Sequence, residues 1–416
     1  MTPAARLQMT IEILEGLGQT AQPADRFLKI WFRSRRFAGS KDRRAIAEQV
    51  FAVQRRRAHF AHRMGSEAPR ALVLASLIEA GDDPHLLFTG GYGPAPLTED
   101  ERAILATAPR SEPRWVQGEY PQWLDQELRR AFGDRLQEEM AALIPRASAD
   151  IRLNTIKANR AEVIAALQGA DIACAPTPYA PHGVRITGEA ANLSKSALFE
   201  SGAFEFQDEA AQIASELCGA RPGMRVLDLA AGAGGKSLAF AASMGNQGEI
   251  LACDVRGEAL FELEQRGARA GATIIKTFVS SEGPLDHGQP SGLFDAVFVD
   301  APCSGTGTWR RQPELRWRLT PGRLSELMAL QDRLLEQAAR LVRPGGRLVY
   351  ATCSILGCEN QDRVAAFQTR QPGFQLLNLA ENWPGTGPVP GLGEDFRASP
   401  ARTGTDGFYC AGLVKI

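Results

Sequence analysis

Three observations predict an α/β chain with a doubly wound parallel sheet, preceded by a small α+β segment and an all-helical N-terminal region. From residue 222 onward, short apolar strands alternate with helical stretches, the signature of βαβ units. Residues 150–206 mix short strand patterns with one short helix. Residues 1–145 carry apolar side chains at helical spacing. The expected domains are 1–142, helical; 143–217, a small α+β segment; and 218–416, the doubly wound domain.

In the first region Leu7, Ile11 and Leu14 recur at helical spacing, as do Phe27, Ile30 and Trp31. Gly39-Ser40 ends one helix and can cap the next. Ala71–Ala80 and Trp123–Ala142 read as further helices, separated by the Gly/Pro-rich stretch Phe88–Pro96. In the second region Ile151–Thr155 and Gly183–Thr187 read as strands and Ala161–Leu167 as a helix. In the third, strands are expected at Met224–Leu229, Glu249–Asp254, Thr273–Val279, Phe294–Val299 and Arg347–Thr352. Helices are expected at Ser237–Ser243, Glu258–Ala270 and Gly322–Val342, the last stopped by Pro344-Gly345-Gly346.

Of the 416 residues, 44% are hydrophobic and 23% charged, close to globular averages, so a disordered or fibrous chain is excluded. No run of about 18 uncharged apolar residues occurs, so no membrane span is expected. Met1–Leu17 lacks a basic segment followed by an apolar block, so no secretory signal is expected. Seven cysteines without regular spacing suit free thiols in a cytoplasmic protein. The net charge of −1 conceals an asymmetry: residues 1–65 hold 13 Lys and Arg against 5 Asp and Glu. A basic module on an acidic body is the electrostatic footprint of a nucleic-acid binder, the alternative being a solvated helical surface.

Ligands of doubly wound sheets bind at the carboxyl ends of the strands. After the first strand stands Ala230-Ala231-Gly232-Ala233-Gly234-Gly235-Lys236-Ser237. A phosphate-binding P-loop fails there because Ala230 stands where glycine is required. The dinucleotide fingerprint fails because Ser237 stands where its third glycine should be. An S-adenosylmethionine site remains, with Asp254 at the end of the second strand placed to take ribose hydroxyls. The fourth strand delivers Asp300 and Cys303 to the same edge, and the fifth delivers Cys353. Single cysteines are usually inert core residues, which is the reading for Cys174, Cys218, Cys253 and Cys410. Two thiols at adjacent strand ends beside a cofactor loop are not so explained. Neither has a nearby His or CxxC partner, so no metal is expected. Beyond Cys303, Trp309-Arg310-Arg311 and Arg316-Trp317 interleave Arg with Trp, a pattern that suits a flipped base and its backbone; buried structural tryptophans are the alternative.

These motifs resemble the RsmB/Sun (Fmu) type of RNA cytosine-C5 methyltransferases. The matching stretches are Leu227–Ser237, Asp300–Gly307, Tyr350–Asn360 and Arg402–Lys415, with Phe206–Ala210 resembling the segment leading into the family's catalytic domain. Residues 1–140 resemble the NusB-like helical domain of the small-subunit rRNA members. The resemblance implies a Rossmann-like class I methyltransferase domain that binds S-adenosylmethionine through residues 230–236, Asp254, Ser280 and Asp300. It implies RNA as partner, 16S rRNA above all with tRNA as the alternative, bound in part through Arg55, Arg56, Arg310, Arg311 and Arg316, and a monomeric protein engaged in rRNA processing. It makes Cys353 the nucleophile toward cytosine C6, with Cys303 assisting release, Asp300 holding the base edge and Lys236 shaping the electrostatics; 5-methylcytosine would be the product. This chain departs from the family at Ala233, where proline is usual. It also departs after the third strand, where Val279-Ser280-Ser281-Glu282 offers no acid in the usual place, leaving a serine (Ser280 or Ser281) or Glu282 as substitutes. The competing readings are an exocyclic-amine or protein methyltransferase, which would favour an aromatic in place of Cys303; a DNA cytosine methyltransferase, which would not need Cys353; and a non-catalytic RNA-binding scaffold.

Overall fold

A computed structural model describes residues 1–108, 111–188, 193–280 and 292–416. The chain forms two compact units: Met1–Arg146 with Trp309–Leu319, and Ala147–Thr308 with Thr320–Ile416.

The first unit is helical. Helices Pro3–Gly18, Ala24–Arg33, Ser40–Arg55, Arg57–Met64 and Pro69–Ala80 bury Ile13, Ile46, Val50, Val53, Val73 and Leu74 completely. The apolar spacing read from the sequence is therefore their core face. The helix expected over Trp123–Ala142 is broken instead. Asp125–Phe132 and Leu136–Ala142 are separated at Gly133, whose backbone (φ 55°, ψ −128°) is open only to glycine.

The second unit holds two sheets. Strands β1 (Ala149–Leu153), β2 (Cys174–Pro176), β3 (Gly183–Ile186) and β4 (Phe204–Phe206) form an antiparallel sheet in the order β2-β3-β1-β4. The larger sheet contains β5 (Arg225–Leu229), β6 (Glu249–Asp254), β7 (Ile275–Val279), β8 (Phe294–Asp300), β9 (Val342–Thr352), β10 (Phe374–Leu376), β11 (Asp395–Ala398) and β12 (Phe408–Lys415). Its order is β10-β12-β9-β8-β5-β6-β7, with β11 also on β12. Strands β5 to β9 are parallel, and β12 runs antiparallel to β9. From β5 the chain steps outward through β6 and β7, then resumes on the other side with β8 and β9. The loops after β5 and β8 thus lie together where the winding reverses, the place where such sheets bind ligands. Strand β9 starts five residues earlier than expected: Pro344-Gly345-Gly346 lies inside it, absorbed by a register shift opposite Phe294 and Ala296. Phe240, Phe298, Val226 and Ile250 pack one face of the sheet, while Leu227, Val297, Tyr350, Leu335 and Ala338 pack the other. Among the described residues no helix is long and apolar enough to cross a membrane.

Candidate active site

The loop after β5 turns through three left-handed residues, Ala230 (φ 70°), Gly232 (φ 56°) and Gly234 (φ 78°), before helix Gly235–Ser243 begins. Its carbonyls are held from outside. Arg266 donates to the Ala233 oxygen at 2.5 Å, and Arg152, buried in β1, donates to the Gly235 oxygen at 2.7 Å. The Ala231 N–H donates to the Cys253 carbonyl at 2.8 Å and fixes the loop on β6.

At the end of β6, Asp254 accepts the Gly232 N–H at 2.8 Å and the Arg256 guanidinium at 3.0 and 3.2 Å. Burial works against its charge, but Arg256 and the two backbone N–H groups outweigh burial and hold the carboxyl below its ordinary range. Ser280, following β7, donates its N–H to the Asp254 carbonyl at 3.0 Å. Ser281 and Glu282, the other residues considered for the adenine side, lie outside the described residues.

Lys236 reaches from the first turn of its helix to the end of β8 and meets Asp300 at 2.5 Å, its ammonium 5.3 Å from the Phe408 ring centre. Burial opposes the Lys236 charge, yet Asp300, Cys353 and Asp228 more than compensate and keep the ammonium above its ordinary pKa. Asp228, fully buried in β5, accepts from Ser237 Oγ at 2.5 Å on one oxygen, while the other has no hydrogen-bond partner. Burial is the main cause pushing its carboxyl up to about 7.

Because β8 and β9 are paired in register at Asp300 and Ala351, their following loops leave the sheet side by side. Cys303 Sγ lies 3.3 Å from Cys353 Sγ. The hydrogen bond to Cys353 comes first, then burial, in raising the Cys303 thiol well above its ordinary pKa. A third loop closes behind them. The Gly307 N–H donates to the Cys353 carbonyl and the Gly407 N–H to the Gly307 carbonyl, both at 2.9 Å. Among the described residues no cluster of His, Cys, Asp and Glu has the makings of a metal site.

The residues expected to hold RNA are placed differently. Arg316 is completely buried in the helical unit. It donates to the Leu143 carbonyl at 2.6 Å and the Arg55 carbonyl at 3.4 Å, closing the C-terminal ends of two helices, and its guanidinium lies over Trp309. Arg318 does the same for Leu17, and Glu314 accepts the Ala24 N–H at the start of another helix. Cations at helix C-termini and an anion at an N-terminus are each favoured by the macrodipole. The Arg/Trp interleaving is therefore packing, and the RNA expectation for Arg316 is corrected accordingly. Arg310 is also buried, whereas Arg311 is exposed. Arg55 lies against Phe51, and burial lowers its pKa. Arg56 pairs with Glu79 at 3.2 Å and Glu119 at 3.6 Å. Within residues 1–65, the exposed cations include Arg26, Lys29, Arg33, Arg36, Lys41 and Arg44. The summed charge of residues 1–65 carried that signal, but which helix face held it required the fold.

The site fits S-adenosylmethionine in chemistry. The cations Lys236 and Arg256 are each already paired with a carboxylate, Asp300 and Asp254. A sulfonium ligand with ribose hydroxyls suits such a cleft, and a polyphosphate does not. Asp228 also offers a buried acceptor that still lacks a donor.

A sheet wound in this order, with a glycine loop after β5 and an acid ending β6, defines a Rossmann-like methyltransferase fold. The sequence model of the family described as 16S rRNA methyltransferase RsmB/F matches residues 217–414, and that of its ferredoxin-like domain matches residues 120–191. The chain belongs to this family. It is 31% identical over 314 residues to ribosomal RNA small subunit methyltransferase B of Sodalis glossinidius, covering 75% of this chain and 69% of that one. It is 34% identical over 252 residues to a Synechocystis sp. protein named "Probable ribosomal RNA small subunit methyltransferase B", covering 60% and 56%. These matches thus span 56% to 69% of the relatives' own length. The crystal structure of PH0851 aligns over 100% of this chain and 99% of its own, with TM-score 0.79 and 28% identity. That of a methyltransferase homologue from Pyrococcus horikoshii covers 73% of this chain and 98% of its own, with TM-score 0.63 and 26% identity.

Proposed function

We propose that this protein methylates carbon 5 of a cytosine in RNA, using S-adenosylmethionine, with 16S rRNA as the substrate. The observation that carries this reading is the pair of thiols, 3.3 Å apart at the ends of adjacent parallel strands, beside Lys236 and Asp300. Cytosine C5 is a weak nucleophile, and a thiolate added to C6 makes it enamine-like. Cys353 forms the S–C6 bond, and the C5=C6 electron pair becomes available at C5. The bound cofactor supplies the electrophilic methyl group. C5 bonds to that methyl group as the group's bond to its sulfur breaks; a base then takes the C5 proton, the C5–H electron pair re-forms C5=C6, and the S–C6 bond breaks to free Cys353 as thiolate. Cys303, whose thiol is held protonated by its environment, assists that release. Asp300 accepts from the N3/N4 edge of the base, and Lys236 favours thiolate at Cys353. The exposed cations Arg26, Lys29, Arg33, Arg36 and Lys41 of the helical unit supply the phosphate grip expected of a NusB-like domain.

The family relatives are named for small-subunit ribosomal RNA, which favours rRNA over tRNA. The test is methyl transfer from radiolabelled cofactor to 16S rRNA or tRNA from a strain lacking the gene, followed by bisulfite sequencing. One protected cytosine in 16S rRNA is expected. Label in tRNA alone would move the substrate, and label in neither would leave an RNA-binding scaffold.

A further inference from the structure

The two thiols sit on separate loops, and hydrogen bonds within each loop do not account for their fixed spacing. Behind them lies one carboxylate that the chemistry above does not use. Glu359 is completely buried. Its Oε1 accepts the Ser304 N–H at 2.8 Å and the Gln331 amide at 3.0 Å. Its Oε2 accepts the Ser304 and Ser354 hydroxyls, each at 2.5 Å. Ser304 follows Cys303 and Ser354 follows Cys353. One side chain therefore holds the neighbours of both thiols. Gln331 extends the grip by donating to the Pro302 carbonyl at 3.0 Å, on the other side of Cys303. Asn360 flanks Cys353 likewise: it accepts from Thr352 Oγ1 at 2.6 Å and donates to the Ser354 carbonyl at 2.9 Å. Four donors on one buried carboxylate satisfy it fully, the condition under which a buried polar network rigidifies its surroundings.

We propose that Glu359 is the positioning residue of this site, tying the Cys303 loop to the Cys353 loop and setting the distance between the two thiols. The proposal rests on the two-thiol reading above. Glu359 touches neither sulfur, so its effect reaches the chemistry through Ser304 and Ser354.

Two variants test it in the full-length protein. Glu359→Gln keeps a carbonyl for the Ser304 and Gln331 donors and presents an amide to two hydroxyls that can turn to accept. Glu359→Ala leaves all four donors without a partner. The first readout needs no RNA. Diamide takes two electrons and two protons from a pair of adjacent thiols and leaves a disulfide, so the rate of Cys303–Cys353 cross-linking, read by peptide mass spectrometry, reports their proximity. Cross-linking in Glu359→Ala is expected to slow by about tenfold or more, with Glu359→Gln within about threefold of wild type, since only the latter keeps the network satisfied. The second readout is kinetic. Glu359→Ala is expected to lose about 100-fold in kcat with KM for adenosylmethionine within about threefold, the pattern of misplaced reacting groups rather than weakened binding. Should Glu359→Ala not fold, Glu359→Leu replaces it, a larger apolar side chain that fills the space and equally lacks acceptors. Cross-linking and kcat near wild type in the alanine or leucine variant would overturn the proposal, as would a glutamine variant no better than alanine. If the wild-type protein cross-links as expected yet methylates no RNA, the proposed function fails and the positioning role stands.

Discussion

Cys303 and Cys353 come from loops 50 residues apart in sequence, yet their sulfurs lie 3.3 Å from each other because β8 and β9 are neighbours in register. Of the two, Cys353 is the one that acts on Lys236. The Cys303 thiol is raised first by its hydrogen bond to Cys353, then by burial, with the Glu359 charge adding to both. The electrostatics thus hold the proton on the Cys303 sulfur.

Separate substitutions should expose that asymmetry. Cys353→Ala cannot add to C6 and is expected to be inactive, with no covalent RNA complex. Cys303→Ala should still attack and methylate but stall at elimination, accumulating a protein–RNA adduct that survives denaturing electrophoresis. The double variant should form none. An adduct from Cys353→Ala with none from Cys303→Ala would reverse the two roles.

Gly307 has no room for a side chain. A Cβ there would meet the Gly407 carbonyl oxygen at 2.0 Å and the Cys353 oxygen at 2.8 Å, both backbone atoms. Gly307→Ala is expected to push the two loops apart, with about a 100-fold loss of kcat and about 1–3 kcal/mol of stability. Gly322→Ala, where a Cβ meets nothing within 4 Å, serves as the control. Equal activity of the two variants would show that the close approach at Gly307 does not position Cys353.

The five parallel strands of the large sheet are legible in the sequence as short apolar runs alternating with helices, and Glu249–Asp254 falls on its expected bounds; Phe374–Leu376, Asp395–Ala398 and Phe408–Lys415 are not among the strands expected. Strands of three residues such as Cys174–Pro176 and Phe204–Phe206 are too short for alternation to register. The thiols, Asp300 and the glycine loop are legible because the topology places every such strand end at one edge. Glu359 is not, because a Glu before an Asn at a helix start looks like ordinary capping chemistry. Nor is the allegiance of Trp309–Leu319, since the carbonyls that Arg316 and Arg318 hold are backbone groups at helix ends, which carry no sequence signature.

The two kinds of arginine in the helical unit should behave oppositely. Arg316→Leu removes a buried cation beside the buried Glu119 carboxyl, which burial already raises to about 7. A loss of about 3 kcal/mol is expected, with the salt dependence of RNA binding unchanged. Reversing Arg33, Arg36 and Lys41 together should leave the melting temperature nearly intact. The slope of log affinity against log salt should become shallower by about 0.7–0.9 for every phosphate these side chains no longer neutralise. Filter binding over a salt series decides; an unchanged slope would leave that face as solvated surface.

Asp254 is the clearest handle on the cofactor. Asp254→Ala removes a carboxylate already ionised and oriented by Gly232 and Arg256, and is expected to weaken adenosylmethionine by about 1.5–3 kcal/mol. Calorimetric titration reads it directly, with ATP and NAD as comparators. Tight binding of either comparator would contradict a cleft whose cations are already paired with carboxylates.

Asp228 should make the protein's stability fall as pH rises. Its carboxyl ordinarily titrates near 3.8, and in the folded chain burial pushes it up to about 7, with Asp300 adding to that and Ser237 and Lys236 opposing it. Below the lower value both states are protonated, and the neutral group is tolerated in the interior. Between the two values the unfolded chain releases the proton more readily, so stability is lost as pH climbs, by at most about 1.4 kcal/mol per pH unit. Above about 7 both states are ionised and the loss levels off. Asp228→Asn keeps an acceptor for Ser237 but cannot ionise. Relative to wild type, it is therefore expected to be more stable at pH 8 than at pH 5. Urea unfolding of both proteins at each pH gives the difference directly. A gap independent of pH would mean that Asp228 keeps an ordinary carboxylate pKa despite its burial.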